Sequence, residues 1–346
     1  MPTIKITDEN FESEEVRATM AAWGMHLDFA PDTAGGALFP YLESMANQSF
    51  GMVLGQGGAD TIIKAMVKYI NSNGGMIEYN SEVTEIIHDG VRAESVKLSD
   101  GRLVNAKRCV IANVAPSSLL KLTNGFKKFD YSNGLKMFKH APGTMMIHLS
   151  MDDLPNWLAN EKLKEFSYIH IAPSLDQMAK TYQQATEGLL PDFPVIVIGQ
   201  PTTVDPSRAP AGKHILWIQV RMVPGIIKGD GANKIKDTEW ESVKEFYADR
   251  VLDIIEDFAP KTKEKVISRR IVSPIELQND NPNLVFGDQI CGSHHLTQHF
   301  IFRPVRGYTD GTTPIHNLYH TGAAIWPGAG TGAGSGFLLG QKLAGN

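Results

Sequence analysis

Cysteine, unbroken apolar runs and basic charge are all scarce in this sequence of 346 residues. Its two cysteines, Cys109 and Cys291, lie in apolar or glycine-containing surroundings, which excludes a disulfide framework and points to a reducing compartment. Cys109 opens the run CVIANV and reads as a small buried hydrophobe rather than a nucleophile. Lys and Arg number 33 against 38 Asp and Glu, a net charge of −5, with none of the basic striping that a nucleic-acid partner needs. No run approaches the roughly 18 apolar residues of a membrane-spanning helix, and the opening MPTIKITDENFESEE is too acidic for a secretory leader. The sequon at Asn47 reads as a chance match. These absences imply a cytoplasmic protein, with a peripheral membrane position left open. Zinc chemistry of the H-E-x-x-H kind would need Glu at position 296, where Leu296 stands. Serine-hydrolase and metalloenzyme constellations find no support.

What is plentiful is apolar residue, at 42%, and glycine, at 32 positions. The length suits two domains with ample core. Near the C-terminus the sequence reads LYHTGAAIWPGAGTGAGSGFLLGQKLAGN. Residues 318–324 have the composition of a strand, 328–336 form a glycine loop, and 335–343 follow as a helix. A strand, a glycine turn and a helix N-terminus can hold an anion or a polarised carbonyl oxygen. Residues 328–333 also match G-x-G-x-x-G/A. That fingerprint requires a βαβ unit and an acidic residue about 20 positions on, and the sequence given stops before either.

A second glycine cluster, GQGGADTIIKAMVKYINSNGG, begins at Gly55. Asp60 is placed to cap a helix whose apolar face is Ile62, Ile63, Met66, Val67 and Ile70, and Asn73, Gly74 and Gly75 end it. A carboxylate there would occupy the free amides and repel phosphate, so a structural or substrate-facing turn is expected. Residues 13–25 read as an earlier helix. Asp89-Gly90 and Asp100-Gly101 mark hairpins, CVIA a buried strand, and Ala115-Pro116 a further helix start.

From about 122 to 304 the strand candidates are TMMIHLSM, SYIHIA, VIVIG and ILWIQVRM. The clearest helix is expected over 238–258, with Thr238 and Glu241 as a capping box and Trp240, Val243, Tyr247, Val251, Ile254 and Phe258 as its face. A mixed sheet with helices on one side fits this region. The abundant methionines suit core filling or an adaptable apolar pocket. HHLTQHFIFRP spaces His295 and His299 four apart, with His294, Gln298 and Arg303 beside them. General acid–base work, polar lining and structural hydrogen bonding all remain open for them.

Five stretches together carry a family resemblance: 55–86, 96–116, 205–220, 273–308 and 318–336. In their order and spacing the chain resembles the C-terminal two-thirds of the phytoene-desaturase-related FAD-dependent oxidoreductases. That family includes carotenoid desaturases and isomerases, retinol saturase and pyridine nucleotide-disulphide oxidoreductase domain-containing relatives. The resemblance implies an α/β fold: an incomplete glutathione-reductase and amine-oxidase-type FAD-binding domain, without the N-terminal βαβ unit, and a mixed-sheet α+β substrate domain. It divides the chain into a substrate-domain segment (1–45), the middle of the FAD-binding domain (46–122), the substrate domain (123–304) and the end of the FAD-binding domain (305–346).

The same resemblance puts the Val83 backbone at the adenine of FAD and Gly322 and Ala323 beside the ribityl and pyrophosphate groups. Pro327, Gly328, Gly330, Gly332, Ala333 and Gly334 fall under the isoalloxazine ring. It implies hydride transfer from an apolar, polyene or isoprenoid substrate to flavin, with His295, His299 and Arg303 as the candidate catalytic side chains. Two departures stand out. Trp326 replaces a histidine found in many relatives, and no N-terminal G-x-G-x-x-G unit is present. The expectation is a truncated product, a split protein, or a relative that no longer holds FAD alone. FAD binding is then weak or dependent on a partner chain or homo-oligomer covering the open face. The alternative function is a non-catalytic or partner-dependent subunit completing a flavin site in another chain.

Overall fold

The structure is a computed structural model describing residues 1–330 and 333–345, with Phe129 described in its backbone only. In chain order the helices α1 (Thr3–Asn10), α2 (Glu14–Ala22), α3 (Leu38–Phe50) and α4 (Asp60–Ser72) precede the strands β1 (Val83–His88), β2 (Ala93–Leu98), β3 (Leu103–Asn105) and β4 (Val110–Asn113). Next come α5 (Pro116–Leu122), α6 (Phe129–Lys136), β5 (Gly143–Met151), β6 (Tyr168–Ile171), α7 (Leu175–Glu187), β7 (Leu189–Leu190), β8 (Val195–Gly199), β9 (His214–Val223) and β10 (Gly229–Asp230). The last elements are α8 (Trp240–Phe258), β11 (Val266–Val272), α9 (Pro274–Asp280), β12 (Leu318–Thr321) and α10 (Gly334–Ala344).

The chain forms two compact units. The first takes Met1–Ile77 and Pro142–Leu277, the second Glu78–Ala141 and Gln278–Asn346. The divisions between these units fall at 77, 141 and 277. The helix that follows the GQGG turn goes with the first unit, and the histidine-rich stretch after 278 goes with the second.

In the first unit, an antiparallel sheet has the order β11-β5-β9-β8-β6. Its centre is in register through Ile147, Ile218 and Ile198. Strand period sends Met145, Ile147, Leu149 and Met151 to one face, where all are buried against α8. That helix uses Trp240, Val243, Tyr247, Val251 and Ile254 as expected, but starts at Trp240. The Thr238 capping box does not form, because Asp237 accepts the N–H groups of Thr238 and Glu239 at 2.7 and 3.0 Å. Helices cover both faces rather than one. Ala18 and Ala22 of α2, Met25 and Met178 of α7 pack with Val195 and Met222 into a second core.

Asp60 is the first residue of α4, not its cap, and pairs with Lys64 at 2.5 Å. Its backbone position leaves the turn's amide to another carboxylate: Asp205 accepts the Gly57 N–H at 2.7 Å. Arg208 bonds both Asp205, at 3.0 Å, and the Gly55 carbonyl. The GQGG turn is thus closed internally by a carboxylate.

In the second unit, β1, β2 and β3 form an antiparallel meander. Asp89 makes the first hairpin turn by accepting the N–H groups of Val91 and Arg92, both at 2.7 Å. β4 and β12 form a parallel pair, in register from Leu318 opposite Val110 to Thr321 opposite Asn113. Leu119, Tyr131, Leu135, Ile315 and Leu318 fill the core behind them.

Candidate functional site

The carboxyl ends of parallel strands are where open α/β sheets build ligand crevices. Here β4 and β12 end side by side, at Asn113 and Thr321, and a cleft of about 340 Å³ opens beyond them. Asn113 and Ala115 line one wall and Gly322 and Ala323 another, with Gly330 of the loop and Ser335 and Gly336 of α10 also lining it. Two polar braces hold this rim. Asn283 accepts the Ala115 N–H at 2.8 Å and donates to the Asn113 carbonyl at 3.2 Å. Ser335 Oγ accepts the Gly322 N–H at 3.0 Å and donates to the Gly322 carbonyl at 2.8 Å, tying α10 to the strand end.

Two glycines are dictated by this geometry. Gly322 has φ +107°, and a Cβ there would lie 2.1 Å from Asn113 Oδ1. Gly328 has φ +105°, and a Cβ there would lie 2.5 Å from His294 Nε2. L side chains rarely adopt either conformation, so backbone alone can occupy these positions. Ala333, also left-handed at φ +49°, turns the chain into α10, whose first turn carries no acidic residue. The helix therefore directs unneutralised amides and a partial positive charge toward the cleft that Gly336 and Ser335 line. Gly332, placed under the flavin by the sequence reading, lies outside the described residues.

The 294–303 segment is built of short 3-10 turns, Leu296–Gln298 and Phe300–Phe302, so His295 and His299 do not share a helical face. Arg303 is fully buried and donates to the carbonyls of Ser293 (2.7 Å), Ala323 (2.8 Å), Cys291 (3.3 Å) and Gly292 (3.4 Å). It clamps the cleft's Ala323 from behind rather than lining it. His299 packs edge-on against Trp326, with ring centres 5.1 Å apart. Burial, reinforced by the Arg303 charge, pushes His299 down to about 4.

The histidine that meets the glycine loop is His294, whose Nε2 accepts the Ala329 N–H at 3.2 Å. Burial, with the Arg303 charge next, pushes it down to about 2. It is therefore neutral, with its proton on Nδ1. His320 of β12 is buried and donates from Nε2 to the Val114 carbonyl at 2.7 Å, and burial holds it near 4. Cys291 lines the cleft, its thiol pushed up to about 11 by burial.

Of the expected cofactor residues, Gly322, Ala323, Gly328, Gly330 and Ala333 line the cleft together. Pro327 and Gly334 pack on each other at its edge: a Cβ on Gly334 would lie 2.6 Å from the Pro327 ring. Val83 opens β1 opposite Leu98 and does not line the cleft. Neither do His295, His299 and Arg303. Asn113, Asn283, Ser335 and His294 carry roles that the motif reading did not assign. Among the described residues no cluster of three or more His, Cys, Asp or Glu could hold a metal, and no helix is long and apolar enough to cross a membrane.

No family model matches the sequence. Individual relatives do. The mouse pyridine nucleotide-disulfide oxidoreductase domain-containing protein 2 is 26% identical over 344 residues, covering 95% of this chain and 58% of its own. A 4,4'-diapophytoene desaturase of Methylomonas sp is 23% identical, covering 92% and 58%. Prolycopene isomerase 1 of an Oncidium hybrid cultivar is 26% identical, covering 83% and 45%. Among solved structures, an oxidoreductase from Methanosarcina mazei superposes with a TM-score of 0.61 at 18% identity, over 99% of this chain and 68% of that one. A putrescine oxidase gives 0.56 at 11% identity, over 100% and 67%.

The fold is that of the FAD-dependent amine oxidases and oxidoreductases. In sequence, the chain is similar to a pyridine nucleotide-disulfide oxidoreductase domain-containing protein, a diapophytoene desaturase and a prolycopene isomerase. It spans between 45% and 58% of the length of these curated relatives.

Proposed function

We propose that the cleft beyond β4 and β12 receives the flavin end of FAD. The chain would then act in FAD-dependent oxidation, desaturation or isomerisation of an apolar, polyene or isoprenoid substrate bound by the first unit. The observation that carries the reading is the pairing of two obligatory glycine positions with an acid-free helix N-terminus on one cleft. FAD, when bound, supplies the hydride-accepting ring. Gly322 and Gly328 let Asn113 and His294 pack against bare backbone at the cleft, and the amides opening α10 would favour the negative charge that accompanies hydride acceptance. Asn283 and Ser335 hold the strand ends in place for it. His294 stays neutral and fixes the loop by accepting the Ala329 N–H. His295, His299 and Arg303 are not assigned catalytic contact.

A second reading, a partner-dependent subunit, is favoured by β4. Its second edge carries no strand among the described residues, and Ile111 on it is 48% exposed. Parallel strands are normally covered on both faces, so a further strand and helix suit this edge. The other strand of the pair, β12, has no such open edge. It is covered instead: Leu318 and His320 are buried, Tyr319 bridges to Thr312, and the His320 N–H reaches the Gly311 carbonyl at 2.8 Å. Flavin titration of the purified chain, followed by quenching of flavin emission, tests the proposal. Unquenched emission with native protein, and no visible flavin absorption in it, would count against the cleft.

A further inference from the structure

Apart from the cleft, the first unit holds a close pair of imidazoles. His26, in the turn Trp23–His26 after α2, and His170, on the edge strand β6, face each other with Nε2 atoms 2.7 Å apart. Trp23 packs against both rings, at 5.2 and 5.6 Å between centres. Arg221 of β9 fixes the turn by donating to the carbonyls of Met25 and His26. A 2.7 Å nitrogen pair needs one shared proton, so one ring donates and the other accepts. Burial, with the Arg221 charge adding to it, pushes His26 to about 3 and His170 to about 4, which keeps both neutral.

His170 of this pair lines two cavities. One, of about 510 Å³, lies between α2 and β6 and extends to Trp157 and Phe258. The other, of about 810 Å³, is roofed by Met52, Val53 and Leu54 of the turn that Asp205 closes. Trp23, Tyr168 and His170 line both. The walls are otherwise mainly apolar, and each cavity is of the size that organic ligands occupy. The charged side chains lining them are Glu15, Asp257 and Asp205, all acidic, with no lysine or arginine among the described lining residues.

We propose that these cavities form one elongated site for a long apolar molecule bearing an uncharged oxygen, a hydroxyl or a carbonyl, which His170 receives at the neck. With Nε2 engaged by His26, the remaining nitrogen of His170 is Nδ1. The pair has two neutral arrangements. With the shared proton on His170 Nε2, the His170 Nδ1 accepts. With the shared proton on His26 Nε2, the single proton of His170 sits on Nδ1, which then donates. Passing between them also carries a proton from one Nδ1 to the other through solvent, so the pair suits either a hydroxyl or a carbonyl. A pure hydrocarbon would strip water from the imidazole without replacing its hydrogen bond, and a carboxylate would find no lysine or arginine among the described residues of the cavity walls. The inference rests on reading the first unit as the substrate-binding part, and names the class of substrate.

The test uses the whole chain without flavin, so its outcome is separate from that of the cleft. Binding of 1-decanol, decane and decanoate is measured by competition against Nile red. Native protein should bind decanol and decane and discriminate against decanoate. His170→Phe should weaken decanol about tenfold, the worth of one hydrogen bond, and leave decane bound at least as tightly as in the native protein. His170→Gln, which keeps an amide at the neck, should retain decanol binding, and it serves alone if the Phe variant fails to fold. Decanol and decane weakened equally in His170→Phe, decanol lost in His170→Gln, or decanoate bound as well as decanol by native protein would overturn the proposal. So would failure of decanol to compete at all.

Discussion

Ser335 Oγ closes a two-way bond on Gly322, accepting its N–H at 3.0 Å and donating to its carbonyl at 2.8 Å. One hydroxyl thus fixes the angle at which α10 meets the end of β12, and with it the shape of the cleft. Ser335→Ala leaves a peptide N–H and carbonyl without that partner at a half-buried site. Unmade bonds of this kind cost ~1–3 kcal/mol. The expected outcome is a lower thermal midpoint with flavin affinity falling further than stability alone explains. Native-like flavin affinity in Ser335→Ala would show that the tie does not shape the site.

His320 gives a pH signature. Its folded value, about 4, lies below the ordinary value of 6.5 because burial penalises the charged ring. The unfolded chain therefore binds the proton more readily than the folded one. His320 contributes stability above pH 6.5 that is lost as pH falls toward 4, by at most ~3 kcal/mol for a shift of this size. His320→Gln should flatten denaturation midpoints across that window. A slope between pH 4 and 6.5 as steep as in the native protein would mean that other groups carry it.

Arg303, put forward by its motif as a catalytic candidate, is instead a structural clamp on four carbonyls. A lysine ammonium cannot reproduce the planar fork that reaches both the 291–293 segment and Ala323. Arg303→Lys should destabilise the protein by several kcal/mol, given ~1.5–3 kcal/mol for each hydrogen bond to a charged group. A melting curve decides it: an unchanged midpoint would return the residue to the list of groups acting on the ligand.

Much of this architecture was legible in local pattern. The alternation of TMMIHLSM gives β5, the Asp-Gly turns give the meander, and the 3.6-residue spacing from Trp240 to Ile254 gives α8. The glycine cluster after β12 marked the cleft because only backbone fits there. What escaped notice is closed over long chain separations. Asn283 reaches Asn113 across 170 positions and Asp205 reaches Gly57 across 148, so neither short motif contains its partner. The same holds for His26 and His170, which are 144 apart and unremarkable in their own neighbourhoods. α3 lacks a clear local signal for a different reason: Pro40 falls in its first turn, where proline is tolerated although it disrupts helix interiors.

The cleft's lining makes a prediction about the cofactor itself. Asparagine, threonine, serine, cysteine and small residues line it, and none of the described lining residues carries a positive charge. The acid-free start of α10 can favour the ring's polar edge, but a diphosphate's two negative charges meet no lysine or arginine there. Leaving such charges half-desolvated forfeits several kcal/mol, and ~4 kcal/mol is about a thousandfold in affinity. This 346-residue chain should therefore bind FAD no tighter than the micromolar range and barely better than riboflavin, which has the ring without the diphosphate. Gly322→Val should abolish both, since its Cβ would overlap Asn113 Oδ1 in a backbone conformation that valine resists. Parallel fluorescence titrations with the two flavins separate the outcomes. Weak, equal binding lost in Gly322→Val supports a ring-end site. Submicromolar FAD binding by a monomer, far tighter than riboflavin, would place the diphosphate anchor within these residues and contradict the uncharged lining as the limit on affinity.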